Sequence, residues 1–295
     1  MPRSNIGRLK LPPLKYRLDR VLPGPGSSGA FEIKTAVFSE DERRARSLTS
    51  ATLANLTERR QAVCLAIRID PHGVGTGERG SLASATDMRV VRIKTTGAIL
   101  QIIDEHSGVP VAAVTLVPTG HRFNTPSLDN IDPRKLLASI RTDLNRCRAA
   151  AADGWLVLVL HGEFDTSAAL YRLHFHGIAA GGMIDVVNGL KKLRKYRSKR
   201  ITSQVEHTAV DKPVMISRKP ITNLPTTVSY IFQSFWPARW IGTTADGQVR
   251  KQRQKHRIPE PQHSEVLLWL DKWNLKDITV LIKMRVSKGR LVLSS

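Results

Sequence analysis

The chain has 295 residues, of which 41% are hydrophobic, and this is enough for a packed core in one large or two small domains. Its 46 lysines and arginines against 25 aspartates and glutamates give a formal net charge of +21. Such a surplus points to a phosphate-rich polymer as partner, more than to an anionic membrane surface. No apolar run approaches the length of a membrane span, and the basic N-terminus lacks the apolar core of a secretory signal.

The two cysteines, Cys64 and Cys147, lie far apart and form no Cys-x-x-Cys pair. This argues against a cysteine zinc ribbon and a disulfide scaffold, and it fits a reducing cytosol. The glycine-rich residues 71–80 lack the Lys-Ser/Thr pair of a nucleotide-binding loop, so we expect a linker there and no small-molecule cofactor.

Prolines and glycines dominate the start of the chain. Residues 1–86 are therefore predicted to form a basic, largely irregular and partly disordered arm. One amphipathic helix is predicted within it, from about Ser39 to Ala66.

Ordered structure is expected from Asp87 onwards. Residues 88–94 alternate in polarity as a strand does, and residues 98–105 fit either a strand or a short helix. The valine-rich residues 109–118 predict a buried strand. Asp132-Pro133 predicts the start of a helix that runs to about Ala152.

Two apolar runs predict a β-hairpin at the centre of the chain. Residues 155–160 (WLVLVL) form a doubly buried strand that continues to Glu163, and residues 170–178 return after a turn. The second strand carries His-Phe-His at 174–176, and alternation puts the two histidines on one face and Phe175 in the core. Two adjacent imidazoles form half of a metal site.

The C-terminal half alternates between short helices and strands. A helix is predicted from about Met183 to Arg200, with an almost wholly basic second half. Further predictions are a strand at 214–217, a helix from Thr226 to about Phe235, a basic loop at 250–257, a helix from Ser264 to Trp273 and a strand at 277–286. Together these elements predict an α+β fold with a central, largely antiparallel sheet and helices packed on it.

Three segments resemble, in their order and setting, the motifs of the HUH endonucleases, which include rolling-circle replication initiators, relaxases and related transposases. Residues 114–116 (Val-Thr-Leu) resemble the first motif, a hydrophobic strand with a threonine. The His-Phe-His triplet resembles the second motif, and Tyr230 in SYIFQSFW resembles the nucleophile helix. The resemblance covers about residues 88–245.

The resemblance implies a ferredoxin-like fold and a single-stranded DNA substrate at a replication origin. It implies that Tyr230 forms a 5′-phosphotyrosine intermediate, and that Mg²⁺ or Mn²⁺ is held by His174, His176 and a third ligand. We expect Glu163 to be that ligand because it lies on the neighbouring strand across a short turn; His161 and Asp165 are the alternatives.

The chain departs from the family pattern next to Tyr230. Many members with one tyrosine have a lysine three residues later, where this chain has Gln233. Members with two tyrosines have the second one four residues later, where this chain has Ser234. A two-tyrosine mechanism is therefore not expected.

The predicted domains are the arm at 1–86, a nuclease domain at 87–245, and a basic loop with a helix-strand extension at 246–295. Between Val187 and Arg257 there are 16 lysines and arginines against 3 acidic residues, which indicates a track for DNA phosphates. The predicted DNA-binding residues are Lys191, Lys192, Arg194, Lys195, Arg197, Lys199, Arg200, Arg239, Arg250, Lys251 and Arg253.

Three alternatives to a replication initiator stay open. A relaxase shares the same chemistry. A metal-dependent phosphoesterase of the histidine-triad type would need a third alternate histidine, where this chain has Gly177 and Ile178. A non-enzymatic nucleic-acid-binding protein would bury the two histidines as structural residues. No Walker motif is present, so duplex unwinding would need a host helicase.

Overall fold

The computed structural model describes residues 6–17, 33–53, 55–73, 80–125, 127–202, 208–217, 219–233, 235–239, 241–243, 249–251 and 255–294. These residues form an α+β fold around a mixed eight-stranded sheet. Their helices are α1 (Lys34–Ser50), α2 (Leu56–Ile69), α3 (Ala85–Glu105), α4 (Pro133–Arg146), α5 (Met183–Gly189), α6 (Leu224–Tyr230) and α7 (Gln262–Asp271). Their strands are β1 (Val111–Leu116), β2 (Arg122–Asn124), β3 (Trp155–Asp165), β4 (Leu170–Ala180), β5 (Lys199–Thr202), β6 (Thr208–Asp211), β7 (Val214–Ile216), β8 (Pro237–Arg239), β9 (Ile241–Thr243), β10 (Val249–Lys251), β11 (His256–Arg257), β12 (Thr279–Ile282), β13 (Met284–Ser287) and β14 (Arg290–Leu293).

The sheet is built around the hairpin of β3 and β4. Its strand order is β11-β8-β3-β4-β1-β7, with β12 added to β3 and β2 added to β4. Among the described strands of this sheet, β3 and β8 run parallel and the other pairs are antiparallel. The predicted α+β class and the largely antiparallel sheet are therefore confirmed, and the ferredoxin-like topology stays a prediction.

The hairpin follows directly from its sequence. Every residue of β3 is buried, and the unbroken apolar run 155–160 predicts this for the first six of them. In β4 the burial alternates over residues 170–176, and Phe175 is fully enclosed. The register sets His161 opposite His174, and Thr115 of β1 opposite His176. Both predicted strands of the hairpin and the valine-threonine strand are confirmed.

Residues 85–105 form one long helix, so the strand predicted at 88–94 is wrong. The Ser84 side chain accepts a hydrogen bond from the Asp87 N–H and caps the helix. Buried residues such as Met88, Ile99 and Ile102 recur at helical spacing along it. This repeat over six turns outweighs the short alternation that suggested a strand.

The N-terminal residues 33–73 are helical and packed rather than irregular. Ala51 is the C-cap of α1 and Asn55 is the N-cap of α2. The single helix predicted from Ser39 to Ala66 is therefore two helices. Leu48 of α1 and Leu65 of α2 are nearly fully buried in the common core. The description of these residues as part of an irregular arm is wrong, because their apolar faces have partners in α3 and α7. The domain boundaries at 87 and 245 stay predictions.

The helix predicted from Met183 to Arg200 is wrong beyond Gly189. Two single turns of 3₁₀ helix follow α5, and the chain is extended from residue 199. The buried Tyr196 donates its hydroxyl hydrogen to Asp143 of α4 over 2.9 Å, and Lys195 forms an ion pair with the same carboxylate. These contacts hold the basic segment against α4 and prevent a continuous helix.

Several other boundaries also differ from the predictions. As predicted, α4 begins at Asp132-Pro133, but it ends at Arg146, because Arg148 has a left-handed backbone with φ of 65°. Ser264 lies buried inside α7 rather than at its cap. The last predicted strand is interrupted at Lys283, where φ is 53°, and so it forms β12 and β13. None of the helices in the described ranges is long and apolar enough to cross a membrane.

Candidate active site

The two predicted metal-binding histidines converge on one point. His174 Nε2 and His176 Nε2 lie 3.0 Å apart. Each ring is held from behind: His174 Nδ1 donates to the Arg172 carbonyl oxygen over 3.2 Å, and His176 Nδ1 bonds to Thr115 Oγ1 over 2.9 Å. Because a carbonyl oxygen only accepts, Nδ1 of His174 carries the proton and its Nε2 carries a lone pair.

The donor set of this pair suits a divalent ion. Two atoms that bind one ion at right angles, each at about 2.1 Å, lie about 3 Å apart. Burial, with help from His161, His174, Lys255 and Arg239, lowers the pKa of His176 to about 2, so its imidazole is neutral, as a ligand must be. Within the described ranges no group of three or more histidine, cysteine or acidic side chains is arranged to hold a metal ion. The pair accounts for two ligands.

Glu163 lies on the same face of the sheet as the histidines. It stands opposite Arg172 in the register, and its Oε2 lies 3.1 Å from Nε of Arg239 in an ion pair. Its role as the third metal ligand stays a prediction. Asp165, one of the alternatives, pairs with Arg172 and accepts hydrogen bonds from Ser167, so it stabilises the hairpin turn.

His161, the other alternative, lies deep in the structure. Its side chain is only 2% exposed, and its Nε2 donates to the Ile231 carbonyl oxygen over 2.7 Å. Burial lowers its pKa to about 3, opposed by the bond to Ile231 and reinforced by His174 and Lys255. It is therefore neutral across the physiological pH range.

Tyr230, the predicted nucleophile, ends α6 beside the histidine pair. Asn223 caps this helix with its side chain and Pro225 lies in its first turn, as the sequence predicts, although the helix is shorter than predicted. The Tyr230 ring is 38% exposed, and its centroid lies 5.1 Å from that of His176 in an edge-on arrangement. Nζ of Lys255 lies 4.9 Å from the Tyr230 ring centroid.

These residues share one open pocket of about 520 Å³. His174, His176, Glu163 and Tyr230 line it. Its wall is strongly basic, because the lining also includes Arg122, Arg172, Lys212 and Arg239. A cavity of this size with such a wall has room for a nucleotide of a bound strand.

Sequence reasoning missed most of this basic wall. Arg172 could have been found, because it precedes His174 by two residues and alternation puts both on one face. Arg122 pairs with Arg172 through the register of β2 and β4, which no local pattern shows. Lys255 approaches Tyr230 from a segment that is distant in sequence, so local sequence patterns could not reveal the contact.

The predicted DNA-binding residues fall into four groups. Arg239 lines the pocket. Lys191, Lys192, Arg194 and Arg197 are exposed on the turns after α5. The Lys195 side chain is ion-paired with Asp143, and its carbonyl accepts from Thr119 at the pocket wall. The side chains of Lys199, Arg200, Arg250 and Lys251 and the whole of Arg253 lie outside the part of the chain that the structure describes.

No protein-family model, no curated protein and no solved structure matches this chain. The resemblance to HUH endonucleases stays a prediction from the three motifs.

Proposed function

We propose that this chain nicks and rejoins single-stranded DNA by transesterification, with Tyr230 as the nucleophile. One observation carries the proposal: two imidazole Nε2 atoms converge to 3.0 Å, and the Tyr230 ring packs against one of the two imidazoles in the same basic pocket. A lone His-x-His could be structural. A His pair with an adjoining half-exposed tyrosine and four cationic side chains is the set that phosphodiester transfer needs.

In the proposed reaction, Tyr230 Oη loses its proton and attacks the scissile phosphorus. The bond from phosphorus to the 3′ oxygen breaks, the 3′ oxygen takes up a proton, and the downstream strand stays on Tyr230 as a 5′-phosphotyrosine. A 3′ hydroxyl that attacks this ester rejoins the strand and frees the tyrosine. Mg²⁺ or Mn²⁺ bound at His174 and His176 would act as a Lewis acid on the non-bridging phosphate oxygens.

The basic wall holds the strand for this reaction. Arg239 is kept in place by Glu163 and Arg172 by Asp165, so both guanidinium groups are oriented before DNA binds. The exposed cations of the turns at 191–197 extend the positive surface from the pocket wall, since the Lys195 carbonyl bonds to Thr119 there. We expect them to track the phosphates of the bound strand.

The test uses a random-sequence single-stranded DNA library, labelled at the 3′ end, with Mn²⁺. Wild-type protein is expected to give a covalent adduct that survives denaturing electrophoresis, and Tyr230→Phe is expected to give none. Tyr16→Phe is the matched control, because it removes a hydroxyl that bonds Asp104 in another part of the molecule. An adduct that persists in Tyr230→Phe would refute the assignment of the nucleophile.

A second candidate is a nucleic-acid-binding protein without catalysis. The absence of a three-ligand metal group within the described residues favours it. It predicts DNA that is retarded in a native gel without any adduct in a denaturing gel. The histidine-triad phosphoesterase is not proposed, because Ile178 occupies the third alternate position and is fully buried.

The biological setting that fits this chemistry is replication of a plasmid, phage or integrated element in the bacterial cytoplasm, with a relaxase as the next possibility. Both cysteines are free thiols, in keeping with a reducing compartment. Origin DNA would be the substrate, and a host helicase would be the partner that unwinds it.

A further inference from the structure

We infer that His161 is a positioning residue for Tyr230 and not a ligand of the metal ion. The inference rests on the proposed function, because it assigns a role within the same site. It is carried by the hydrogen bond between the His161 ring and the backbone of Ile231, the residue that follows Tyr230.

The bond joins the central hairpin to the end of the tyrosine helix. His161 lies in the middle of β3, opposite His174. Its Nε2 donates to the Ile231 carbonyl oxygen over 2.7 Å, and Ile231 is the C-cap residue of α6. The position of the Tyr230 backbone is therefore fixed directly to the strand pair that carries the two converging histidines.

The surroundings of β3 explain why the contact forms there. On the side away from β4, β12 pairs with residues 156–159 of β3, and β8 pairs with residues 164–165. Between these two pairings, His161 and Gly162 contact residues that follow α6. Trp236 packs so closely on Gly162 that a Cβ at this residue would overlap the indole ring. Two consecutive residues of β3 thus hold the segment that follows the nucleophile.

The same contacts argue against His161 as a ligand of the ion. Its Nε2 carries the proton that is donated to a carbonyl oxygen, so this atom has no free lone pair. Its Nδ1 is fully enclosed and has no hydrogen-bond partner within the described ranges. The ring centroid lies 5.2 Å from that of His176, so the ring supports the histidine pair by packing.

The test compares His161→Gln with His161→Leu in the full chain. The amide nitrogen of glutamine can donate to the Ile231 carbonyl oxygen, whereas leucine fills similar space without a donor. Three quantities are measured: amide hydrogen exchange of residues 224–232, the affinity for Mn²⁺, and the rate of adduct formation with the labelled library.

We expect His161→Leu to speed exchange in residues 224–232 by about tenfold, the effect of losing one buried hydrogen bond. The adduct should form more slowly while the Mn²⁺ affinity stays unchanged. In His161→Gln both the exchange rate and the adduct rate should return towards those of the wild type, which a purely space-filling role of the ring would not give.

Two results would overturn the inference. One is a rate of amide hydrogen exchange in residues 224–232 that is the same in His161→Leu as in the wild type, or that changes equally in both variants. The other is a loss of Mn²⁺ affinity of tenfold or more in both variants, which would make His161 a ligand. Amide exchange and Mn²⁺ binding are measured without DNA. A wild-type protein that forms no adduct would therefore refute the proposed nuclease activity, while the exchange data would still test the role of His161.

Discussion

Thr115 orients the His176 ring so that its Nε2 points towards His174. The Thr115 hydroxyl bonds to Nδ1 of His176, which leaves Nε2 facing Nε2 of His174. A hydroxyl both donates and accepts, so Thr115 can accept the Nδ1 proton of His176 and leave the lone pair of the neutral ring on Nε2, the form that binds a cation. Under the proposed function, the threonine of β1 would orient one ligand of the ion without touching the ion itself.

Replacing Thr115 by valine should lower the affinity for Mn²⁺ by about tenfold, because the ring loses the partner that fixes its orientation. Calorimetric titration with Mn²⁺ would measure this change. Thr142→Val is the matched control, since that hydroxyl bonds only within α4 at Ala138. Equal Mn²⁺ affinities for Thr115→Val and the wild type would show that the hydroxyl does not orient the ring.

Lys255 supplies a positive charge beside Tyr230. Gln233 occupies the position at which many single-tyrosine HUH endonucleases have a lysine. The Lys255 Nζ lies over the Tyr230 ring, and the side chain is exposed. We expect Lys255→Met to slow adduct formation by about tenfold, because charge that develops at the attacked phosphate loses a neighbouring cation.

Lys276→Met is the control for Lys255→Met, because it removes the same charge from an exposed residue on a different surface. The initial rate of adduct formation is compared at equal salt concentration, since overall charge also affects DNA binding. Similar rates in the two variants would mean that Lys255 acts only through net charge.

Among the elements, α3 depends on a residue of the predicted N-terminal arm. Asp41 of α1 is 1% exposed and accepts hydrogen bonds from the Ser84 hydroxyl and from the N–H groups of Ala85 and Thr86. These N–H groups belong to the first turn of α3, which has no helical partners of its own. The N-terminal helices are thus tied to the start of the longest helix.

Replacing Asp41 by alanine should lower the free energy of unfolding by about 3 kcal/mol, because buried donors at the α3 terminus lose a charged acceptor. Urea unfolding followed by circular dichroism would measure it. Glu42→Ala is the neighbouring control, with an expected loss below about 1 kcal/mol since its ion pair with His72 is exposed. Equal losses in the two variants would contradict the capping role of Asp41.

The elements that were predicted correctly are those whose signals are local. The hairpin of β3 and β4, the strand β1 and the start of α4 follow from apolar runs, alternation and the Asp132-Pro133 cap. The helix predicted in the basic segment after Gly189 was wrong, because Asp143 holds Tyr196 there. This contact joins residues that are 53 positions apart. A charge pattern alone could not reveal that tertiary contact.

The residues of the site also divide into those that a local pattern predicts and those that depend on tertiary contacts. Alternation alone predicts that His174 and His176 share a face, and the structure brings their Nε2 atoms together. The cross-strand partners Thr115 and Arg122, and the long-range neighbour Lys255, depend on register and chain reversal. Their contribution could be seen only after the strands were paired.

On the scale of the whole molecule, a partly buried histidine makes stability depend on pH. Burial, assisted by Lys195 and opposed by Asp143, lowers the pKa of His121 to about 4 from its usual 6.5. The unfolded chain therefore binds a proton at a pH where the folded one does not, so stability falls as pH decreases from 6.5 to about 4.

His121→Gln should remove this contribution, which is on the order of 3 kcal/mol across that pH interval. The free energy of unfolding is measured at several pH values with a chelator present, so that metal binding does not interfere. The variant should lose less stability than the wild type between pH 6.5 and 4. Parallel curves would show that His121 does not titrate in this way.

The segment that follows Tyr230 also packs beside a length of β3 edge that no described strand pairs with. Residues 161–163 of β3 lie between the stretches that pair with β12 and β8, and in that interval the His161 side chain bonds to the Ile231 carbonyl oxygen and the Trp236 ring packs on Gly162. An uncovered strand edge is a template for pairing with another chain and so for aggregation. Holding the tyrosine near the histidines and keeping molecules from associating are therefore one structural requirement, and a variant that frees this segment should lose monodispersity together with any activity.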